Sequence, residues 1–240
     1  MAPLPVLWMS CLRQILAGAL VGACITALNA QPSPELTEAL RTFRTEGPKG
    51  YSFTQTSYSP DRTRIETFDP LKAAHLQWDL ISEDGVPPSE RTIETYRQQQ
   101  TRRTGGQTAP NVKEQLDMDS AQLESDDGER QQWRFRLKPG DDEDSSAEHM
   151  ESTITFHPAT GTIERIALAS FEPFSPVFGV KIELAQTIIE YSLPTEDTPS
   201  LLQNIEVSVR GRAFYFKSLD SDMTVSYSDY NYAGKPQLFP

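Results

Sequence analysis

Apolar residues along the chain first recur at helical spacing and then, from Gly50 onward, at alternating positions. Ser33 and Pro34 read as an N-cap and a first helical residue. Leu36, Leu40 and Phe43 follow at i, i+4 and i+7, one face of a helix of about three turns, and Glu46-Gly47-Pro48 stops it. Tyr51 and Phe53 then alternate with polar residues, Pro60-Asp61 marks a turn, and Ile65 and Thr67 resume the alternation. Leu76, Trp78 and Leu80 predict a further strand, closed by Glu83-Asp84-Gly85. Ser89 caps a second predicted helix, Ser89 to Gln100, in which Ile93 and Tyr96 share a face. Residues 98–111, Gln-rich and then bearing Arg102, Arg103, Gly105, Gly106 and Pro110, lack either period and read as a mobile loop. The acidic stretch within 140–148 reads the same way.

The second half is strand after strand. A run around Ala121 and Leu123 turns at Asp127-Gly128 into a strand with Trp133, Phe135 and Leu137 on one face and Arg134, Arg136 and Lys138 on the other. Met150, Ile154 and Phe156 alternate with Glu151, Thr153 and Thr155, and Pro158-Ala159-Thr160-Gly161 turns into Thr162 to Ser170. Val180-Ile182-Leu184, Ile205-Val207-Val209, Phe214-Phe216 and Met223-Val225-Tyr227 complete the series. Short strands joined by turns, without crossover helices, predict an antiparallel sheet. Two helices are too few to cover both of its faces, so the fold expected is mainly antiparallel β (α+β), one strongly bent sheet with helices on its concave side. Phe171-Glu172-Pro173-Phe174-Ser175-Pro176-Val177-Phe178-Gly179 interrupts the series with prolines that suit no central strand. It is either a bend with its aromatics tucked inward or a flap beside a cavity.

The first thirty residues follow neither pattern. Arg13 precedes an uncharged run from Ile15 to Ala30, shorter than the roughly 20 residues of a membrane-spanning helix, and Gln31-Pro32 ends it. This is the layout of an export signal. The expected organisation is a signal peptide, residues 1–30, and a single domain, residues 31–240, in the periplasm or secreted. Two processing sites fit. Cleavage after Ala30 frees the chain, whereas Leu20-Val21-Gly22-Ala23-Cys24 has the small-residue-then-Cys pattern of a lipoprotein signal, which makes the protein membrane-anchored through Cys24. Met9 offers a second start with a short Arg-bearing lead.

Both cysteines, Cys11 and Cys24, lie in that segment, so the remaining chain has no disulfide and depends on its core. Losing residues 1–30 removes one cation and takes the formal charge from −12 to −13. Such acidity argues against nucleic acid, whose binding needs cations to displace counterions. It argues equally against simple adsorption to anionic lipid, leaving membrane association to a lipid on Cys24. No Gly-x-Ser-x-Gly elbow is present, and His75, His149 and His157 lack ligand-like spacing. Asp141, Asp142, Glu143 and Asp144 form a solvated acidic loop rather than a calcium or glycosidase site. Gly105-Gly106 has no following Lys-Ser/Thr to make a phosphate loop. No enzyme, cofactor or metal is therefore expected.

The candidate residues are apolar instead: Phe53, Ile65, Trp78, Leu80, Trp133, Phe135, Phe156, Ile182, Phe214 and Phe216. They either fill an ordinary sheet core or line a cavity for a lipid-like ligand. Alternation is the same in both cases. Arg134, Arg136 and Lys138 either receive an anionic headgroup or pair across strands with Glu151.

Phe68-Asp69-Pro70, Trp78-x-Leu80-Ile81 and Asp84-Gly85-x-Pro87 resemble motifs of a group of exported proteobacterial proteins. So do Phe174-Ser175-Pro176, Gly179-Val180-Lys181-Ile182 and Ser228-Asp229-Tyr230. That group is similar in architecture to the LolA/LolB-like periplasmic lipoprotein carriers, and the resemblance spans most of residues 34–232. It implies a curved, unclosed β-barrel (a half-barrel) capped by two or three helices. It also implies an apolar interior, with a lipid or a lipoprotein acyl chain as partner. No individual site residue is carried over from the carriers, and the oligomeric state is left open.

Overall fold

The structure, a computed structural model, describes residues 31–45, 49–103, 112–139, 145–214 and 216–234. Helix α1 (Pro34–Thr42) precedes β1 (Tyr51–Ser59), β2 (Arg62–Phe68) and β3 (Trp78–Glu83). Helices α2 (Glu90–Arg103) and α3 (Val112–Gln115) separate these from β4 (Leu116–Asp126), β5 (Gln131–Leu137), β6 (Met150–His157) and β7 (Thr162–Ser170). Then come β8 (Val180–Tyr191), β9 (Leu202–Ala213), β10 (Lys217–Ser218) and β11 (Ser221–Tyr232).

Every ladder is antiparallel. Ten strands follow one path, β3-β2-β1-β11-β9-β8-β7-β6-β5-β4, with β10 attached to β9. The end strands β3 and β4 do not pair, so the sheet is a curved, unclosed barrel, as expected. The last strand, β11, sits between β1 and β9 and so joins the early strands to the later ones.

Helix α1 forms where the spacing predicts it. The Ser33 hydroxyl accepts the Leu36 N–H at 3.1 Å, and Pro34 opens the first turn. Leu36 and Leu40 are completely buried against Leu116, Trp133, Phe135, Ile154, Phe156 and Ile166 of β4–β7. Each such side chain contributes about 1.5–3 kcal/mol.

Helix α2 is capped by Ser89, whose hydroxyl accepts the Thr92 N–H at 3.2 Å. It runs on to Arg103, beyond the predicted end at Gln100. Residues 98–103 are thus helix rather than loop. Gln and Arg propagate a helix well without any apolar period, and neither Gly nor Pro occurs before Gly105.

Two further expectations are corrected. Phe214-Phe216 is not part of a strand: Phe214 takes a left-handed φ of 49° and the chain turns there. In the proline-punctuated segment only Phe174 is tucked in, bridging Ile182 and stacking on His149 at 5.2 Å. Phe171 and Phe178 stay exposed. No helix among the described residues is long and apolar enough to cross a membrane. Cys24 and Ala30, Glu46-Gly47-Pro48, residues 104–111 and the run Asp141 to Asp144 lie outside the described residues.

Candidate functional site

Ladder register carries one face of the sheet from end to end. Trp78 and Leu80 of β3 lie opposite Phe68 and Glu66 of β2, which lie opposite Phe53 and Gln55 of β1. The same face continues through Tyr227 and Val225, then Ile205 and Val207, Ile189 and Thr187, and Ile166. It ends with Ile154 and Trp133. Both long helices lie on it, since Leu36 and Leu40 of α1 pack on its β4–β7 end while Tyr96 of α2 lies under the Arg64 guanidinium at 5.8 Å.

The two ends differ. Under α1 the face is closed: Trp133 is 3 % exposed, and Phe135 and Phe156 are fully buried. These three candidate residues are spent on core.

At the β3-β2-β1-β11 end the aromatics are only half-buried. Phe53 is the hub, with ring centroids 5.0 Å from Phe68, 5.6 Å from Trp78, 5.6 Å from Tyr227 and 5.5 Å from Tyr230. These are spacings of favourable edge and offset contacts. Leu80 is buried beside them.

The remaining candidates are not brought there. Ile65 alternates with Arg64 and Glu66 and so takes the opposite face. Ile182 lies across from Gly211, far along β8. Phe214 and Phe216, expected to line a cavity, are 59 % and 87 % exposed, because the turn after β9 carries them out of the sheet.

Three residues of the aromatic group were not among the candidates. Phe68 and Tyr227 follow the alternation, and Phe68 opens the Phe68-Asp69-Pro70 motif. Tyr230 closes the Ser228-Asp229-Tyr230 motif but breaks the alternation. A bulge opposite Phe53, with Asp229 at a φ of 55°, resets the parity of β11 and puts Tyr227 and Tyr230 on one face.

A polar group borders the aromatics. Glu66 is 4 % exposed and accepts the Gln55 amide at 3.2 Å. Arg64 pairs with Glu83 at 3.0 Å, while its Nε finds no hydrogen-bond partner among the described residues. The Tyr96 hydroxyl makes no hydrogen bond among the described residues, and burial, with the Glu66 carboxylate nearby, raises its pKa above the ordinary tyrosine value. Burial, and secondarily the Glu66 charge, pushes Tyr227 up to about 12. Burial also raises Tyr230, whose hydroxyl donates to the Leu202 carbonyl at 2.6 Å. At neutral pH these tyrosines are uncharged, which keeps the face apolar.

No family model matches the chain, and neither a curated protein nor a solved structure does.

A concavity of about 340 Å³ opens away from the aromatic face, where the last turn of α1 meets the β6–β7 turn and the β8–β9 connection. Phe43, Ile163, Tyr191 and Pro199 give it an apolar lining. Its size is at the low end for a small-molecule site, and none of the ten candidates lines it. Of the basic strand face, Arg134 is taken up by ion pairs with Glu124 at 2.9 Å and Glu151 at 3.5 Å, while the Arg136 guanidinium lies over the Phe171 ring at 5.2 Å. Among the described residues no three His, Cys, Asp or Glu side chains cluster as metal ligands would.

Proposed function

We propose that the protein is an exported, non-enzymatic binder of an apolar, lipid-like ligand, held in the half-open barrel against the aromatic face of β3, β2, β1 and β11. The carrying observation is the contrast along one face, fully packed under α1 and left half-buried around Phe53, Phe68, Trp78, Tyr227 and Tyr230. Burying an acyl chain there gains about 0.8 kcal/mol per CH₂ removed from water. Helix α2, whose inner side carries Tyr96, acts as a lid over that end. The ligand class is an acyl chain of a lipid or lipoprotein, consistent with an export signal and with the resemblance to lipoprotein carriers.

Tryptophan fluorescence tests this. Trp78 is half-buried on the proposed face and Trp133 is sealed in the core. A brominated fatty acid should quench a saturable fraction of the emission, and Trp78→Phe should abolish that fraction while leaving affinity for an unbrominated competitor intact. Quenching that is unsaturable, or unchanged in Trp78→Phe, contradicts the assignment.

The sealed core under α1 supports a second reading, a non-catalytic structural or interaction protein of the cell envelope, anchored through Cys24 if that residue is lipidated. In that case no added lipid is taken up.

A further inference from the structure

Among the described residues, the three most exposed aromatic side chains belong to one end of the sheet. Phe178 is 98 % exposed and Phe216 87 %, with Val177 at 60 % and Phe214 at 59 %. They sit on two adjoining loops, one entering β8 and one leaving β9. The Phe214 N–H donates to the Gly179 carbonyl at 2.6 Å, and a Cβ on Gly179 would lie 2.9 Å from the Phe214 ring. Phe214 is held in the left-handed region, which bulky residues adopt rarely and at a cost. The loops thus present their aromatics to solvent by construction.

Cations surround this tip. Lys181 and Arg212 are cross-strand partners, and Lys217 pairs in register with Ala213. Acids near it are Glu183, 4.0 Å from Arg212, and Asp220, which accepts the Gly211 N–H at 3.1 Å. Lys181 and Lys217 have no ion pair among the described residues. Two cations beside the exposed aromatics are thus left without an acidic partner among the described residues, in a chain with 34 acids against 22 Lys and Arg. Beside the aromatics, Lys181, Arg212, Ser175 and Glu183 line a groove of about 360 Å³.

We propose that this tip is a membrane-docking surface. Phe178, Phe214 and Phe216 enter the headgroup–acyl boundary of a phospholipid bilayer, and Lys181, Arg212 and Lys217 face the lipid phosphates. Shallow insertion of a few aromatic side chains with flanking cations is how proteins lie on an interface without spanning it. The net negative charge opposes this only weakly, because charges farther than about 8 Å are screened at physiological salt. A second copy is the poorer occupant, since a stable interface buries about 800 Å² per partner, and two short loops do not supply it. This docking needs neither a lipid on Cys24 nor a ligand in the barrel.

The test is flotation of the protein, as processed by the expressing cell, with vesicles of phosphatidylethanolamine and phosphatidylglycerol. All proteins carry C24S, so no attached lipid contributes. The starting protein should float, and F178S/F216S should lower partitioning by about tenfold or more. K181E/K217E should weaken binding to these vesicles and leave binding to pure phosphatidylcholine unchanged. All four positions are solvent-exposed, and matched thermal transitions establish folding. Absent flotation of the starting protein, or equal flotation of F178S/F216S, overturns the proposal. So does a dimer, seen by sedimentation without vesicles, that F178S/F216S dissolves.

Discussion

Single residues carry consequences that the strand pattern hides. Gly50 has a φ of 92°, and a Cβ there would lie 2.7 Å from the backbone oxygen of Gly234. Gly50→Ala therefore adds left-handed strain of about 1–2 kcal/mol to a clash that only a backbone shift relieves. The urea midpoint should fall, and fall further than in Gly161→Ala, where the Cβ meets nothing. Tyr227 titrates at about 12 in the folded chain against an ordinary 10. The native state thus holds its proton where the unfolded chain has lost it. The associated stability is complete below pH 10 and is lost as pH rises to about 12. Tyr227→Phe should flatten the fall in unfolding free energy over that window. At this scale the sequence was informative where alternation persisted, as at Phe53 and Trp78, and alternation failed at Tyr230, whose orientation depends on a bulge.

At the scale of elements, α1 holds the closed end of the barrel. Leu36 and Leu40 are completely buried, so Leu40→Ala should cost about 2–5 kcal/mol, and Ser33→Ala about 1 kcal/mol through the lost cap. Denaturant unfolding measures both. The helix was legible because cap, proline and apolar spacing agree. The last turn of α2 was not, because Gln98 to Arg103 carry helix propensity but no apolar face. The predicted strands around Trp133 and Ile154 hold, since both neighbours and both faces are set by alternation. Phe214 and Phe216 show where that reasoning stops: alternation of two aromatics resembles a strand even when a left-handed residue between strand and loop turns them outward.

For the whole molecule, antiparallel pairing and a strongly bent sheet followed from short strands without crossovers, whereas the unclosed barrel was implied by the resemblance to the carriers. Their spatial order did not, because the placement of β11 between β1 and β9 is a long-range choice that local pattern does not encode. Nor did the division of one apolar face into a sealed half and a half-buried half. Trp133 and Trp78 have the same alternation, and only the position of the helices separates them.

On the function proposed above, the half-buried half holds a lipid-like ligand. Native mass spectrometry with lipid extraction, on the protein purified from the envelope of the expressing cell, tests it most directly. A co-purifying acyl species, lost on Trp78→Ala with the fold retained, is the expected result. A clean apo mass that takes up no added lipid would contradict it.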